Sequence, residues 1–240
     1  MGKPVLNTVL SPRLLNLYDC ADTIVVVIDV FRATSTIATA LYNGAARIIP
    51  VDTVEKCIAI GAQTKGITAG ERDGKIIEGL QYGNSPAEYP PEFIKGKTLV
   101  LTTTNGTKLL HMALQAGASK VVTGSFPNLS AVCNFLIAEK KNVLLGCSGW
   151  KDKFNLEDTL FAGAVINKVK EHFEIHCDSS LMAEEMYMQH QHDMLSYIRK
   201  LTHWHRLQKF GLEKDLEYCI SIDVANVLPF YKNGDLVVTP

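Results

Sequence analysis

The chain has 240 residues, a hydrophobic content of 47% and a formal net charge of −1. That apolar share supports a substantial core in one large or two small domains, and the near-neutral balance argues against a broad basic face for nucleic acid. No apolar run approaches the roughly 20 residues of a membrane span, and six scattered cysteines without a Cys-x-x-Cys read as reduced, buried small hydrophobes, not as zinc ligands or a disulfide framework.

The N-terminal MGKPVLNTVLSP lacks the hydrophobic stretch of a signal peptide, so a cytoplasmic location is expected. Strands are predicted over 5–10, 23–30, 46–51, 97–102, 120–123 and 142–147. Helices are predicted over 35–42, 54–63, 108–116, 128–139 and 156–169. Residues 66–96 break the alternation and read as an irregular Gly/Pro-rich loop. The polar segment 179–219 reads as helical, with one helix over 180–192 and another over 193–210, closed by Gly211. The tail over 221–238 reads as an extended segment followed by a Lys-Asn-Gly-Asp turn. Strand–helix alternation with short loops predicts a single α/β domain over 1–240, a three-layer α/β/α fold with a mostly parallel sheet built from repeated βαβ units.

Those units echo one another. Residues 26–49, VVIDVFRATSTIATALYNGAARII, lie over residues 99–122, LVLTTTNGTKLLHMALQAGASKVV, at an offset of 73 positions without a gap. Each copy reads strand, polar loop, amphipathic helix, Gly-Ala turn, strand. Parallel strands and right-handed crossovers are expected for each, so that the loops IDVFRATS and LTTTNGT share one sheet edge.

Asp29 ends a run of β-branched residues and Arg32 follows two residues after Val30. Open α/β sheets bind ligands at such strand ends. Asp29 suits a metal ligand, a nucleophile or a partner of Arg32, whose planar fork fits phosphate, sulfonate or carboxylate. Thr34 and Ser35 open the helix beside them, and Thr103, Thr104, Asn105, Gly106 and Thr107 form a turn whose backbone N–H groups can cradle an anion. In the irregular loop, Glu71 can complete a metal site, Arg72 can meet a second acidic group, and Asn84 and Ser85 sit in a tight turn. Asn155 and Asp158 resemble a capping box, which leaves Glu157 the freer carboxylate. Asp29, Glu71, Glu157 and Asp158 are thus the metal candidates, and hard oxygen ligands of this kind suit Mg²⁺. His190 and His192, and His203 and His205, are two apart and split across a helix, so a histidine metal site is not expected, while a lone catalytic histidine stays open. Neither a GxGxxG nor a GxSxG signature occurs.

Five segments in order carry a resemblance: Asp29-Val30-x-Arg32-Ala33-Thr34-Ser35, Gly70-Glu71-Arg72, Gly83-Asn84-Ser85-Pro86-x-Glu88, Leu101–Thr107 and Leu156-Glu157-Asp158-Thr159. Together with His203, Arg206-Leu207, Asp215 and the stretch from Asp223 to Pro229, the chain resembles the 2-phosphosulfolactate phosphatases. The resemblance implies an α/β fold, Mg²⁺ dependence and hydrolysis of 2-phosphosulfolactate to sulfolactate and inorganic phosphate. It implies anion pockets at Arg32, Arg72 and the helix starts after Asp29, Thr104 and Gly149. In one place the chain departs from it: Leu80-Gln81-Tyr82 stands where Phe-Asp is expected before Gly-Asn-Ser-Pro. The rival expectations are a non-catalytic small-anion binding or sensor protein, and a phosphatase for another three-carbon phospho-acid. A small anionic substrate is the expected partner, with no nucleic acid and no membrane; a homo-oligomer is left open.

Overall fold

The run TIVVVI forms β2 (Thr23–Ile28), and all six of its residues are buried. A strand this apolar on both faces needs cover on both, and it receives it. Ile24, Val26 and Ile28 pack into a cluster with residues of α5 (Leu129–Glu139) and α6 (Leu156–Val169). Val25 and Val27 turn the other way, toward Ile37 and Leu41 of α1 (Ala33–Tyr42) and Leu109 and Leu110 of α4 (Gly106–Gln115). Farther along the sheet, α2 (Val54–Thr64) sets Cys57 against Val51 and Val100. This is the α/β/α layering the sequence predicted, with a ten-stranded, mostly parallel sheet. The computed structural model describes residues 2–72 and 74–238. No helix among them is long and apolar enough to cross a membrane, and the six cysteines are free thiols.

The remaining strands are β1 (Leu6–Val9), β3 (Arg47–Val51), β4 (Ile67–Arg72), β5 (Lys75–Ile76), β6 (Thr98–Thr102), β7 (Lys120–Gly124), β8 (Asn142–Cys147), β9 (Pro229–Lys232) and β10 (Asp235–Val238). They lie in the order β1-β8-β2-β7-β9-β10-β3-β6-β4-β5. One parallel half-sheet is β1, β8, β2 and β7; the other is β3, β6 and β4. Between them sits the tail, folded into a hairpin that is antiparallel to both neighbours. Its turn uses Asn233 and Gly234 at φ 52° and 97°, the positive pair that a two-residue hairpin turn needs. The two echoed units are therefore not parallel pairs. With three antiparallel ladders between β7 and β3, each unit carries the chain from one half-sheet to the other, β2 to β3 through α1 and β6 to β7 through α4.

Two further expectations change. The segment 66–96 contains β4, parallel to β6, a 3₁₀ turn over Pro86–Glu88 and the short α3 (Pro91–Ile94). Gly70 hid the strand: a Cβ there would lie 2.6 Å from the Thr102 carbonyl oxygen, so the close approach of β4 to β6 demands the residue that weakens a strand pattern. The helix expected over 193–210 is two, α8 (Met194–Ile198) and α9 (Thr202–Gln208). Leu201 between them is extended at φ −75°, ψ 147°, and it buries with Ile198, Trp204 and Leu207 in one cluster. Around them lie α7 (Asp178–His190) and α10 (Glu213–Cys219).

Candidate active site

The loop after β2 is tied down from within. Asp29 N–H donates to Thr34 Oγ1 at 3.1 Å, Thr34 N–H donates back to the Asp29 carbonyl at 3.0 Å, and Ser35 Oγ–H donates to the Val30 carbonyl at 2.9 Å. Thr34 and Ser35 thus shape the loop, and neither lines the cleft beyond it. Asp29 does line it, with Arg32, Glu71, Thr104 and Asn105. The N-termini of α1 and α4 meet here: backbone N–H groups of Ala33 and Gly106 donate to the Asp29 carboxylate. A Cβ on Gly106 would come 2.9 Å from Asp29 Oδ2, so the glycine makes this approach possible. The loops IDVFRATS and LTTTNGT do face one crevice.

Burial pushes the Asp29 carboxyl up from 3.8 to about 7, with Glu71 and then Glu157 adding to the rise. The two backbone donors act against it. Glu71 is held in turn by Gly74 N–H at 2.9 Å and Thr104 Oγ–H at 3.2 Å. Arg32 is buried and ion-paired through Nη1 to Asp215 Oδ2 at 2.5 Å. Ser85 Oγ–H donates to the other Asp215 oxygen at 2.9 Å. Ser85 therefore acts on the cleft through Asp215 and Arg32. Asn84 lines the cleft directly, and its buried Oδ1 accepts no hydrogen bond from the described residues.

Not every candidate converges. Arg72 donates to the Glu71 carbonyl and Thr102 Oγ1 and lines a neighbouring cavity with Lys108 and His111. Thr103 and Thr107 cap one another, each backbone N–H on the other's hydroxyl at 3.4 and 3.3 Å. Asp158 does not close a capping box with Asn155, whose side chain makes no cap bond. Its two oxygens instead accept from Val30 N–H at 2.9 Å and Gly149 N–H at 3.0 Å, clamping two strand-end loops together. Burial, then Glu157 and Asp29, hold that carboxyl well above the usual range. Glu157 is equally buried and bonded to His203 Nδ1 at 2.5 Å. Neither Glu157 nor Asp158 lines the cleft. Gln81 sits outside it too, accepting from Thr68 N–H at 3.0 Å beside β4.

Among the cleft residues that escaped assignment, Trp150, His203 and Arg206 carry side-chain nitrogens. The Arg206 guanidinium lies 3.9 Å over the Trp150 ring, which holds it toward the crevice. Arg206 arrives on α9, far from the strand ends, where only the resemblance around His203 and Arg206 pointed, whereas Trp150 stands in the loop that follows the end of β8 at Cys147.

The donor set suits a hard cation. Among the described residues no group of three or more His, Cys, Asp or Glu side chains is placed to hold a metal ion. Mg²⁺ does not need one, since it takes one or two carboxylates and keeps waters. Asp29 and Glu71 line the cleft together and repel one another there, which is the arrangement a divalent cation relieves.

Strand-end acids and two arginines facing a crevice at converging helix N-termini define an α/β enzyme built for a small, highly charged anion. A family model described as 2-phosphosulpholactate phosphatase matches residues 9–234. The chain belongs to that family, and with it to the phosphomonoester hydrolases. It is 38% identical to a probable 2-phosphosulfolactate phosphatase of Caldanaerobacter subterraneus over 224 residues, 92% of each chain. It is 41% identical to one of Thermotoga petrophila over 215 residues, 89% of this chain and 91% of the relative. A relative of the same name from Clostridium tetani is 36% identical over 215 residues, with the same coverage.

Proposed function

We propose that the chain hydrolyses 2-phosphosulfolactate to sulfolactate and inorganic phosphate with Mg²⁺ as cofactor. The observation that carries this reading is the pairing of Asp29 and Glu71 with Arg32 in one buried cleft. Asp29 and Glu71 would hold the cation, which supplies charge neutralisation on the phosphoryl oxygens when bound. Arg32 binds the phosphoryl group, its guanidinium aimed by Asp215 and Ser85. Backbone N–H groups at the start of α4 add donors with the helix dipole behind them. Arg206, stacked on Trp150, offers a second cationic group for an acid elsewhere on the substrate. Phosphate monoester hydrolysis is among the slowest uncatalysed reactions, so this concentration of charge matches the demand.

The test is phosphate release from 2-phosphosulfolactate, 2-phospholactate and 3-phosphoglycerate, with Mg²⁺ or chelator, for the native chain and Asp29→Asn. Mg²⁺-dependent turnover that favours 2-phosphosulfolactate and is lost in Asp29→Asn supports the reading. Turnover of another three-carbon phospho-acid alone corrects the substrate, and turnover unaffected by chelation removes the cofactor. The stereochemical course at an isotopically chiral phosphorus separates two roles for Asp29. Net retention marks a phosphoryl group carried on its carboxylate, and inversion marks direct attack by water.

A further inference from the structure

His203 stands in the cleft wall on α9, far in sequence from the strand ends that supply Asp29 and Glu71. It is buried, at 6% exposure. Its Nδ1 lies 2.5 Å from Glu157 Oε1, and the Asn155 side-chain amide lies 3.1 Å from the same nitrogen. A carboxylate only accepts, so Nδ1 carries the proton of that bond, and the Asn155 amide, whose Nδ2 is a donor, meets that N–H with its oxygen once the amide is turned over. The edge-on Phe31 ring, its centroid 5.7 Å from that of the imidazole, packs against it from another side. With Nδ1 committed to Glu157, Nε2 is the nitrogen left for the cleft, and no hydrogen bond between described residues occupies it. A side chain in the cleft whose far nitrogen is held by a buried acid has the make-up of a general acid and its orienting partner.

We infer that His203 is the general acid of this enzyme, protonating the ester oxygen of the leaving alcohol, and that Glu157 is its positioning residue. The inference rests on the phosphomonoester-hydrolase reading and adds a role that reading leaves unfilled. A sulfolactate or other alkoxide is a poor leaving group, and neither a divalent cation nor an arginine gives its oxygen a proton. In the step, the P–O ester bond breaks and its electron pair goes to the alkoxide oxygen, which takes the proton from Nε2. Glu157 stabilises the imidazolium before transfer and holds the neutral Nδ1–H tautomer afterwards. The water consumed in hydrolysis leaves its oxygen on phosphorus and supplies the proton that restores Nε2–H. This assigns Glu157 to histidine and leaves the cation to Asp29 and Glu71.

Leaving-group dependence tests it. The full chain, His203→Gln and Glu157→Gln are assayed with Mg²⁺ on 2-phosphosulfolactate and on p-nitrophenyl phosphate, whose phenolate departs without a proton. General acid catalysis contributes about 10²–10⁴-fold. The expected result is a fall of that size in the ratio of kcat on the alkyl ester to kcat on the aryl ester for His203→Gln, with a smaller fall in the same direction for Glu157→Gln. An unchanged ratio in a variant with native circular dichroism overturns the inference, whether both rates fall together or neither does. Should His203→Gln not fold, the Glu157→Gln ratio decides by the same criterion. A native chain that turns over neither ester refutes the phosphatase reading itself, a different result from an unchanged ratio.

Discussion

Asp158 separates a structural clamp from a metal ligand, and the two roles give opposite results. Replacing it by alanine leaves the amides of Val30 and Gly149 buried without acceptors. Each stranded donor costs about 1–3 kcal/mol, so Asp158→Ala should lose about 2–6 kcal/mol. For a chain of this length, about 2–4 °C of melting temperature goes with each kcal/mol, a drop of roughly 4–24 °C. Asp158→Asn keeps one accepting oxygen and presents an N–H to the other donor, so about half that loss, 1–3 kcal/mol, is expected. The measurement is thermal and urea unfolding of the three proteins, each in chelator and in saturating Mg²⁺. A clamp predicts that both variants are weakened in chelator and that the Mg²⁺ increment survives. A ligand predicts native-like melting in chelator and loss of the increment. Asp158→Asn within about 0.5 kcal/mol of the native chain in chelator would refute the clamp, since surface-like tolerance of that size is incompatible with a stranded buried amide.

Mg²⁺ should stabilise the protein more at pH 8 than at pH 5. The folded Asp29 carboxyl, at about 7, lies above its ordinary 3.8; its contribution to stability is full at low pH and lost as pH rises through 7, while a cation must displace its proton at the acid end. Melting curves with and without Mg²⁺ across that range check this, and an equal increment throughout refutes it. Arg32→Lys cannot serve Asp215 and phosphate with one planar fork, so kcat/KM should fall by about 1.5–3 kcal/mol, roughly 10- to 150-fold, in steady-state assays. Gly163→Ala places a Cβ 1.9 Å from the Ala183 carbonyl oxygen and forces α6 from α7; the urea midpoint should drop by the equivalent of about 1–3 kcal/mol or more, with no drop refuting the close packing. Gln81→Asp, lying outside the cleft, should leave kcat/KM on every tested ester within about threefold, as expected of a surface change away from the site.

Where a signal is local, the sequence carries it. The β-branched run ending at Asp29 announces a buried strand and a strand-end acid, and the Asn233-Gly234 pair announces a turn. Periodicity likewise shows α1, α4 and α6. What no local pattern carries is which strands become neighbours. The tail's alternation is that of any short hairpin, and its place between β7 and β3 depends on two half-sheets that only tertiary structure brings together. Gly70 misleads for a related reason, since its value lies in what β6 does beside it. In the site, Asp29 and Arg32 were legible because charged groups at a strand end have few other reasons to be there, while Glu71 was read only as a loop acid and its strand appeared with the fold. Glu157 and Asp158 were legible as acids at the start of a helix, one free and one capping, but not in their burial or their partners. One turns to a histidine on a distant helix, and the other to backbone amides of two separate loops. The stacking of Arg206 on Trp150 shows only once the chain folds.

The position of the β9–β10 hairpin has a consequence for how the molecule comes to exist. Every other strand of the sheet precedes it in the chain, yet it occupies the middle. During vectorial synthesis, β7 and β3 emerge as open edges facing one another, each with an unpaired row of backbone donors and acceptors. The two half-sheets can each assemble, joined only through α1 and α4, but the sheet is not continuous until the last strands arrive. The hairpin works as a closing wedge, and the nascent chain carries two sticky edges up to that moment.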